Sequence, residues 1–423
     1  MKKLFFISLI LISGCTQQQK TEEWTRDLSP ISPEEVGISS ERLNRIDVLV
    51  NQYIDDGKFP GAVVQISRKG KTVYSKSYGS SDIEGNLPMN IDNIFRIASQ
   101  TKAITTVALM TLYEHGKFLL DDPVHLYIPE FEDPTILVSL DRETGKMVTE
   151  PAKGQITIRH LLTHTSGIGY GFINPDLKYI YDKNGVIDGL KPTNETLDRV
   201  IPKLGEQPVL FEPGERWEYG LNTDVAGYLV EVLSGQSLAD YFEEHIFQPL
   251  GMEDTYFYLP DDKSTRLVPV YSSTEEGFDL PEGNETNYPI EGSKTYFSGG
   301  GGLSSTAKDY SIFMEMLLND GRFNGAQVIG KKTIELMITN QIGDLSIWDG
   351  SSFGLGFRLT GKEQVHESPS SIGNYEWGGI FNTRYWLDPK EDLTVAVMLQ
   401  MLPFEHPEFH QKMQVLVYQS LVE

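Results

Sequence analysis

Hydrophobic positions first take up helical spacing within residues 41–56, where Leu43, Ile46, Val50 and Tyr53 recur three and four apart. Ser39-Ser40 precedes the run and Gly57 stops it, so a helix with one buried face is expected there. Residues 61–67 and 72–78 then read as strands, and Lys69-Gly70-Lys71 between them is a hairpin signal. Residues 103–113 carry no charge on any side and Gly116 follows, the pattern of a helix buried all round. From about 121 to 288, short helical patterns alternate with Pro/Gly-rich loops. A hairpin signal lies at 138–148 around Thr144-Gly145, and one helix, 224–233, ends at Gly235. Ser237 is placed to cap a further helix, 238–247. The run Gly299 to Gly302 precedes a helix at 306–318, and it lacks the Lys-Ser/Thr of a phosphate loop, so it reads as close backbone packing. Strands are expected at 353–359, 383–387 and 393–399, with a closing helix at 406–421. Strands at both ends with helices between them predict one sheet assembled from both termini.

The 423 residues include 36 Lys+Arg against 60 Asp+Glu, a formal charge of −24. That length allows two or three domains of ~150 residues, or one large domain with an insertion. The acidity disfavours a nucleic-acid partner, which needs a basic stripe to meet phosphates, and adhesion to anionic lipid through the protein surface. A single cysteine, Cys15, excludes a disulfide within the chain and a Cys-rich metal site.

Lys2 and Lys3 precede an apolar run from Leu4 to Ile12, far shorter than the ~20 residues a membrane-spanning helix requires. It reads as a secretory signal. Leu11-Ile12-Ser13-Gly14-Cys15 resembles the bacterial lipobox, in which the cysteine becomes the acylated first residue. The expected organisation is therefore a signal peptide, 1–14, a polar tether, 15–35, and a working domain, 36–423. That domain is expected outside the cytoplasm on an N-terminal lipid anchor, at the periplasmic face or the outer membrane. Thr16, where an Asp often retains lipoproteins in the inner membrane, points to the outer membrane.

Three patterns offer a nucleophilic serine. Gly350-Ser351-Ser352-Phe353-Gly354 matches G-x-S-x-G, but a nucleophile elbow needs a helix after the serine and here the chain alternates like a strand. Ser305-Thr306-Ala307-Lys308 has the S-x-x-K spacing, yet Ser305 reads as a helix cap and Lys308 as a solvent-facing residue. Ser99-Gln100-Thr101-Lys102 opens the helix that is apolar all round. Residues three apart share a helix face, so Lys102 can reach the Ser99 hydroxyl, and the helix N-terminus favours developing negative charge there. Burial would lower the Lys102 pKa toward a value at which the amine accepts a proton. Spacing alone leaves this open against a capping serine followed by a lysine that reaches out to water.

The surrounding sequence adds to this. Phe95-Arg96-Ile97-Ala98-Ser99-Gln100-Thr101-Lys102-Ala103 resembles the first motif of the serine β-lactamase and penicillin-binding superfamily, in its class C-like branch of esterases. The resemblance continues through Thr157 to Gly167, Phe211 to Gly214, Trp217-Glu218-Tyr219, Gly300 to Asp309 and the C-terminal strands, covering about 36–420. It implies an α/β fold of α+β type: an antiparallel sheet subdomain (about 36–95 and 289–423) flanked by helices, with a mainly helical insert (about 96–288).

Two departures from the superfamily pattern bear on activity. Where β-lactamases carry Tyr-x-Asn, this chain has Tyr219-Gly220-Leu221, with Asn222 one residue late, either reaching the substrate or capping the next helix. Where they carry Lys-Thr-Gly, it has Trp377-Gly378-Gly379, so an indole replaces the cation that holds a substrate carboxylate. The resemblance implies an acyl-enzyme on Ser99, with Lys102 or Tyr219 as base and the Ser99 and Ile380 N–H groups as oxyanion donors. Leu221, Asn222, Trp377, Gly378 and Gly379 are the implied substrate contacts. An ester with a neutral, small or apolar acyl group is the expected substrate. β-Lactamase, DD-peptidase or D-aminopeptidase activity is the alternative, and a non-catalytic binding lipoprotein would be expected to lose Ser99 or Lys102. No cofactor is needed for this chemistry. His160 and His164 stand four apart, but no Glu follows the first and no third ligand is evident, so no metal is expected.

The lipobox reading predicts that Cys15→Ala or globomycin blocks maturation and that the substituted protein loses its anchor. Metabolic labelling with a fatty acid checks this, and acyl chains still attached to the Cys15→Ala protein would contradict it.

Overall fold

Both ends of the chain supply strands to one antiparallel sheet. The computed structural model describes residues 25–274, 277–280, 288–364, 366, 368–403 and 405–423. The signal segment and Cys15 lie outside the described residues. The N-terminal strands are β1 (Gly61–Arg68), β2 (Lys71–Asp82) and β3 (Leu87–Pro88). The C-terminal strands are β4 (Ser352–Phe353), β5 (Arg358–Leu359), β6 (Tyr375–Gly378), β7 (Arg384–Asp388) and β8 (Leu393–Met398). Their order is β4-β5-β6-β7-β8-β1-β2-β3, so the termini meet where β1 pairs with β8, Val64 opposite Val397. Every residue of β1 and β8 is buried, because both faces of the sheet are covered. Apolar runs without alternation follow from that placement.

One face carries α1 (Ser40–Asp55) and α5 (Glu408–Tyr418), packed on Trp386, Val395 and Val397. Ser39 caps α1 by accepting the Arg42 N–H. The other face carries α2 (Thr101–Glu114), with Thr101 through Leu112 all buried, then α3 (Asn222–Ser234) and α4 (Ala307–Leu318). The four-glycine run is close backbone packing, as expected: a Cβ on Gly299 would lie 2.7 Å from the Thr223 carbonyl, and one on Gly300 would collide with the Asp224 carboxylate.

Several elements differ from expectation. The strand expected at 353–359 is the β4–β5 pair, folded back where Gly354 N–H donates to the Phe357 carbonyl and Gly356 takes a positive φ of 81°. Ser305 does not cap α4; it pairs with Phe95 in a two-residue ladder, and Thr306 accepts the capping Asp309 N–H instead. The helix expected at 238–247 is α-helical only over Leu238–Phe242 before a π turn at Glu243–Phe247. The tether ends early. From Arg26 the chain is fastened along β2, with Leu28 N–H on the Gly70 carbonyl and Ile31 N–H on the Thr72 carbonyl. Arg26 pairs with Glu315 and Asp392, and Asp27 with Lys71.

Strand β6 is not an edge strand along its whole length. β5 lies beyond it but pairs only with Tyr375 and Glu376. From Trp377 onward that side of β6 is open, and there the chain passes Ser99.

Candidate active site

The residue before Ser99 adopts a conformation that side chains avoid. Ala98 has φ 43°, in the left-handed region, and is fully buried. Ile97 N–H donates to the Leu303 carbonyl and the Thr101 hydroxyl accepts the Leu303 N–H, so the turn is pinned on both sides. Ser99 then lies in a 3-10 turn leading into α2.

One helical turn on, Lys102 is 2% exposed. Its Nζ lies 3.2 Å from Ser99 Oγ, 3.0 Å from the Tyr170 hydroxyl and 2.6 Å from the Gly300 carbonyl. An ammonium has three protons to donate, and three acceptors surround it. Between a lysine that reaches water and one turned inward onto Ser99, the structure has the second. The Tyr219 ring lies 4.6 Å from the same Nζ, in cation–π range.

Tyr219 is held by its neighbours. Trp377 Nε1 donates to its oxygen at 3.2 Å, Trp217 stacks on it at 5.9 Å and 11°, and His164 lies 5.0 Å away. Burial and the Lys102 charge hold His164 well below the usual histidine range, so it is neutral.

Ser99 opens into a cavity of about 1060 Å³ bounded by Gly378 and Gly379 at the end of β6 and by an aromatic wall that includes Trp348 and Trp377. Gly379 cannot carry a side chain, because a Cβ there would collide with the Ile97 carbonyl. That close approach brings Ile380 beside the serine turn. Ile380 is 39% exposed on the cavity wall, and among the described residues its N–H has no acceptor. An unpaired N–H in that place can receive an oxyanion.

Leu221 and Asn222 are not on the cavity wall. The Leu221 carbonyl accepts the first N–H groups of α3, and its side chain is in the core. Asn222 is fully buried; its amide contacts His164 Nδ1 at 3.1 Å and the Ile168 carbonyl at 3.0 Å, and its oxygen accepts from Ser166. It neither caps α3 nor faces substrate; it braces the segment under Tyr219. His160 is likewise structural, accepting the Thr157 N–H at its own helix start.

Two residues of the site were not evident beforehand. Tyr170 supplies an acceptor to Lys102, and burial and the charges around it push its phenol well above the usual range, so it stays protonated. The sequence signal was the alternation Gly167-Ile168-Gly169-Tyr170-Gly171, which lets backbone approach the site. Asp224 accepts the Ser298 hydroxyl at 2.6 Å and the Gly300 N–H at 3.2 Å, fixing the carbonyl that holds Lys102. Burial pushes its carboxyl up to about 6, against the opposing pull of Ser298 and Lys102. Ser305 and Ser352 take no part: Ser305 is buried against Thr255, and Ser352 lies in β4.

A family model described as Beta-lactamase matches residues 46–419. The chain belongs to the beta-lactamase family. This beta-lactamase family member is 29% identical to the esterase EstB of Burkholderia gladioli, over 84% of its own length and 89% of the esterase's. It is 31% identical to the acyltransferase calJ of Penicillium decumbens, over 81% and 84% of the two chains. Among solved structures, EstCE1, a hydrolase with promiscuous acyltransferase activity, aligns with a TM-score of 0.77 at 29% identity, covering 89% of this chain and 99% of that one.

Asp224 gives the site a pH dependence. Its folded pKa lies above its ordinary 3.8, so the folded state binds this proton more tightly. The group therefore favours folding below pH 3.8 and withdraws that contribution as pH rises to about 6. Reactivity runs the other way, because protonation below about 6 loosens the carboxylate's hold on the Ser298 hydroxyl and the Gly300 N–H and so on the carbonyl that places Lys102. The rate of fluorophosphonate modification is expected to fall as pH drops through about 6. In Asp224→Asn that inflection should vanish, at a lower rate throughout. An inflection near pH 6 surviving in Asp224→Asn would assign it to another group.

Proposed function

We propose that the protein is a carboxylesterase that hydrolyses small-molecule esters through a covalent acyl-enzyme on Ser99. The observation that carries this reading is the buried Lys102, with Ser99 Oγ 3.2 Å from its amine at the mouth of an aromatic cavity. The relatives named esterase and acyltransferase support the same chemistry.

Ser99 Oγ attacks the ester carbonyl while its proton passes to neutral Lys102, or to Tyr219 acting as phenolate beside the lysine. The carbonyl oxygen takes up charge between the Ser99 and Ile380 N–H groups; such a donor is typically worth about 3 kcal/mol. The proton then moves to the leaving alkoxide, the alcohol departs and the acyl group stays on Ser99. Water enters, gives a proton to the same base and attacks the acyl carbonyl; Ser99 Oγ leaves, takes that proton back, and the acid is released. An alcohol in place of water would complete an acyl transfer by the same steps.

Ester preference over β-lactams rests on the third motif. Trp377 contributes an indole that donates to Tyr219, where a lysine would meet a substrate carboxylate. The amide of Asn222 is spent on His164 and Ile168 and does not reach an acylamido side chain. A site without a buried hydrogen-bonding partner forfeits the ~10⁴-fold discrimination such a partner provides. The N-terminal lipobox supports placing the enzyme outside the cytoplasm on a lipid anchor.

The test is a comparison of kcat/KM. Values for p-nitrophenyl acetate and butyrate should exceed those for nitrocefin and a D-Ala-D-Ala peptide. Ser99→Ala should abolish turnover of the esters, while Ser305→Ala and Ser352→Ala retain it. Higher kcat/KM for nitrocefin or the peptide would place the enzyme with the penicillin-recognising hydrolases, and full activity in Ser99→Ala would end the reading.

A further inference from the structure

The charges lining the cavity cancel in pairs, with one left over. Arg358 pairs with Asp349 at 2.7 Å, and Arg384 with Glu376 at 2.6 Å. Glu408 and Lys412 meet at the Tyr53 hydroxyl. Behind the wall, buried Lys102 is opposed by buried Asp224. The remaining lining charge is Asp188, half-buried, with which no cation among the described residues pairs. Asp188 Oδ1 accepts the Leu190 N–H at 3.2 Å, a local turn that leaves Oδ2 for the cavity.

The backbone that presents the carboxylate is closely packed. Gly189 has φ 72° and abuts the buried Tyr296 ring so closely that a Cβ could not fit. Leu190 packs against Gly301, 3.0 Å from where its Cβ would lie. Asp188 acts electrostatically on Tyr170. The Phe172 ring stacks on Tyr170 at 4.6 Å and 27°, and is itself 51% exposed on the cavity wall. Trp348 lines the same cavity, 67% exposed and edge-on to Trp217 at 4.7 Å.

A carboxylate and exposed aromatic rings lining one cavity are chemistry that recognises an ammonium group: the carboxylate supplies charge and the rings supply their negative faces. The formal charge of −24 would draw such a ligand in. We propose that Asp188, with Phe172 and Trp348, forms a subsite for a cationic group, and that the preferred esters carry a quaternary or protonated amine on the alcohol side. This rests on the esterase reading and narrows its substrate class: the acyl group is neutral and the alcohol cationic.

Acetylcholine and 3,3-dimethylbutyl acetate test it, because they share an acyl group and alcohol shape and differ in one charge. The expected kcat/KM ratio in favour of acetylcholine is about tenfold or more at low salt, falling as salt is added. Asp188→Asn should bring the ratio to about one, and Asp188→Glu should retain a preference. A ratio at or below one in the unaltered enzyme, or one unchanged by Asp188→Asn, overturns the proposal. If neither ester is turned over, p-nitrophenyl butyrate decides the esterase reading: its hydrolysis upholds that reading, and its failure as well ends it. Calorimetric titration of choline then decides the subsite alone: binding lost in Asp188→Asn supports it, and no binding to the unaltered protein overturns it.

Discussion

A lysine amine withdrawn from water is the constraint on which this site is built. Lys102 is affordable inside the fold only because Ser99, Tyr170 and Gly300 each turn an oxygen toward it. Each acceptor has its own support. Ser99 is delivered by the left-handed turn at Ala98, Tyr170 by the glycine-rich loop, and the Gly300 carbonyl by the Asp224 carboxylate beneath its N–H. The glycine run follows from the same constraint, since a side chain at Gly300 would displace that carboxylate. So does the apolar character of α2, whose burial on all sides keeps Lys102 from reaching solvent.

The sheet serves this arrangement by holding two distant parts of the chain against each other. β6 reaches the serine turn because β7 and β8 carry the C-terminal end into register with β1. The two-residue β5 stops short of Trp377, leaving β6 open where Gly378, Gly379 and Ile380 line the cavity. A longer β5 would pair this segment and occupy the groups available to a substrate.

Much of this was legible in the sequence because it is periodic or local. The uncharged run 103–113 marked a buried helix, and an S-x-x-K opening that helix, where the one at Ser305 reads as a cap before a solvent-facing lysine, separated Ser99 from the serines at 305 and 352. What was not legible depends on direction and distance. Leu221 and Asn222 follow Tyr219 directly, yet the start of α3 turns both inward, away from the cavity. Alternation at 353–359 looked like one strand, and only the fold-back at Gly354 and Gly356 divides it. Thr306 rather than Ser305 caps α4, because pairing with Phe95 holds Ser305 one residue short of the helix start. Asp188 and Asp224 come from a loop and a helix start that carry no motif of their own, Tyr170 is marked only by the glycines around it, and their roles arise from what they meet across the fold.

The central claim, an acyl group carried on Ser99 beside a buried lysine, is tested most directly by trapping that species. Rapid acid quench of the enzyme turning over p-nitrophenyl butyrate, followed by digestion and peptide mass analysis, should find one butyryl group, on Ser99. It should be absent in Lys102→Ala, where no amine takes the proton. Butyryl on another serine, or turnover with no covalent intermediate under any quench time, would contradict the account.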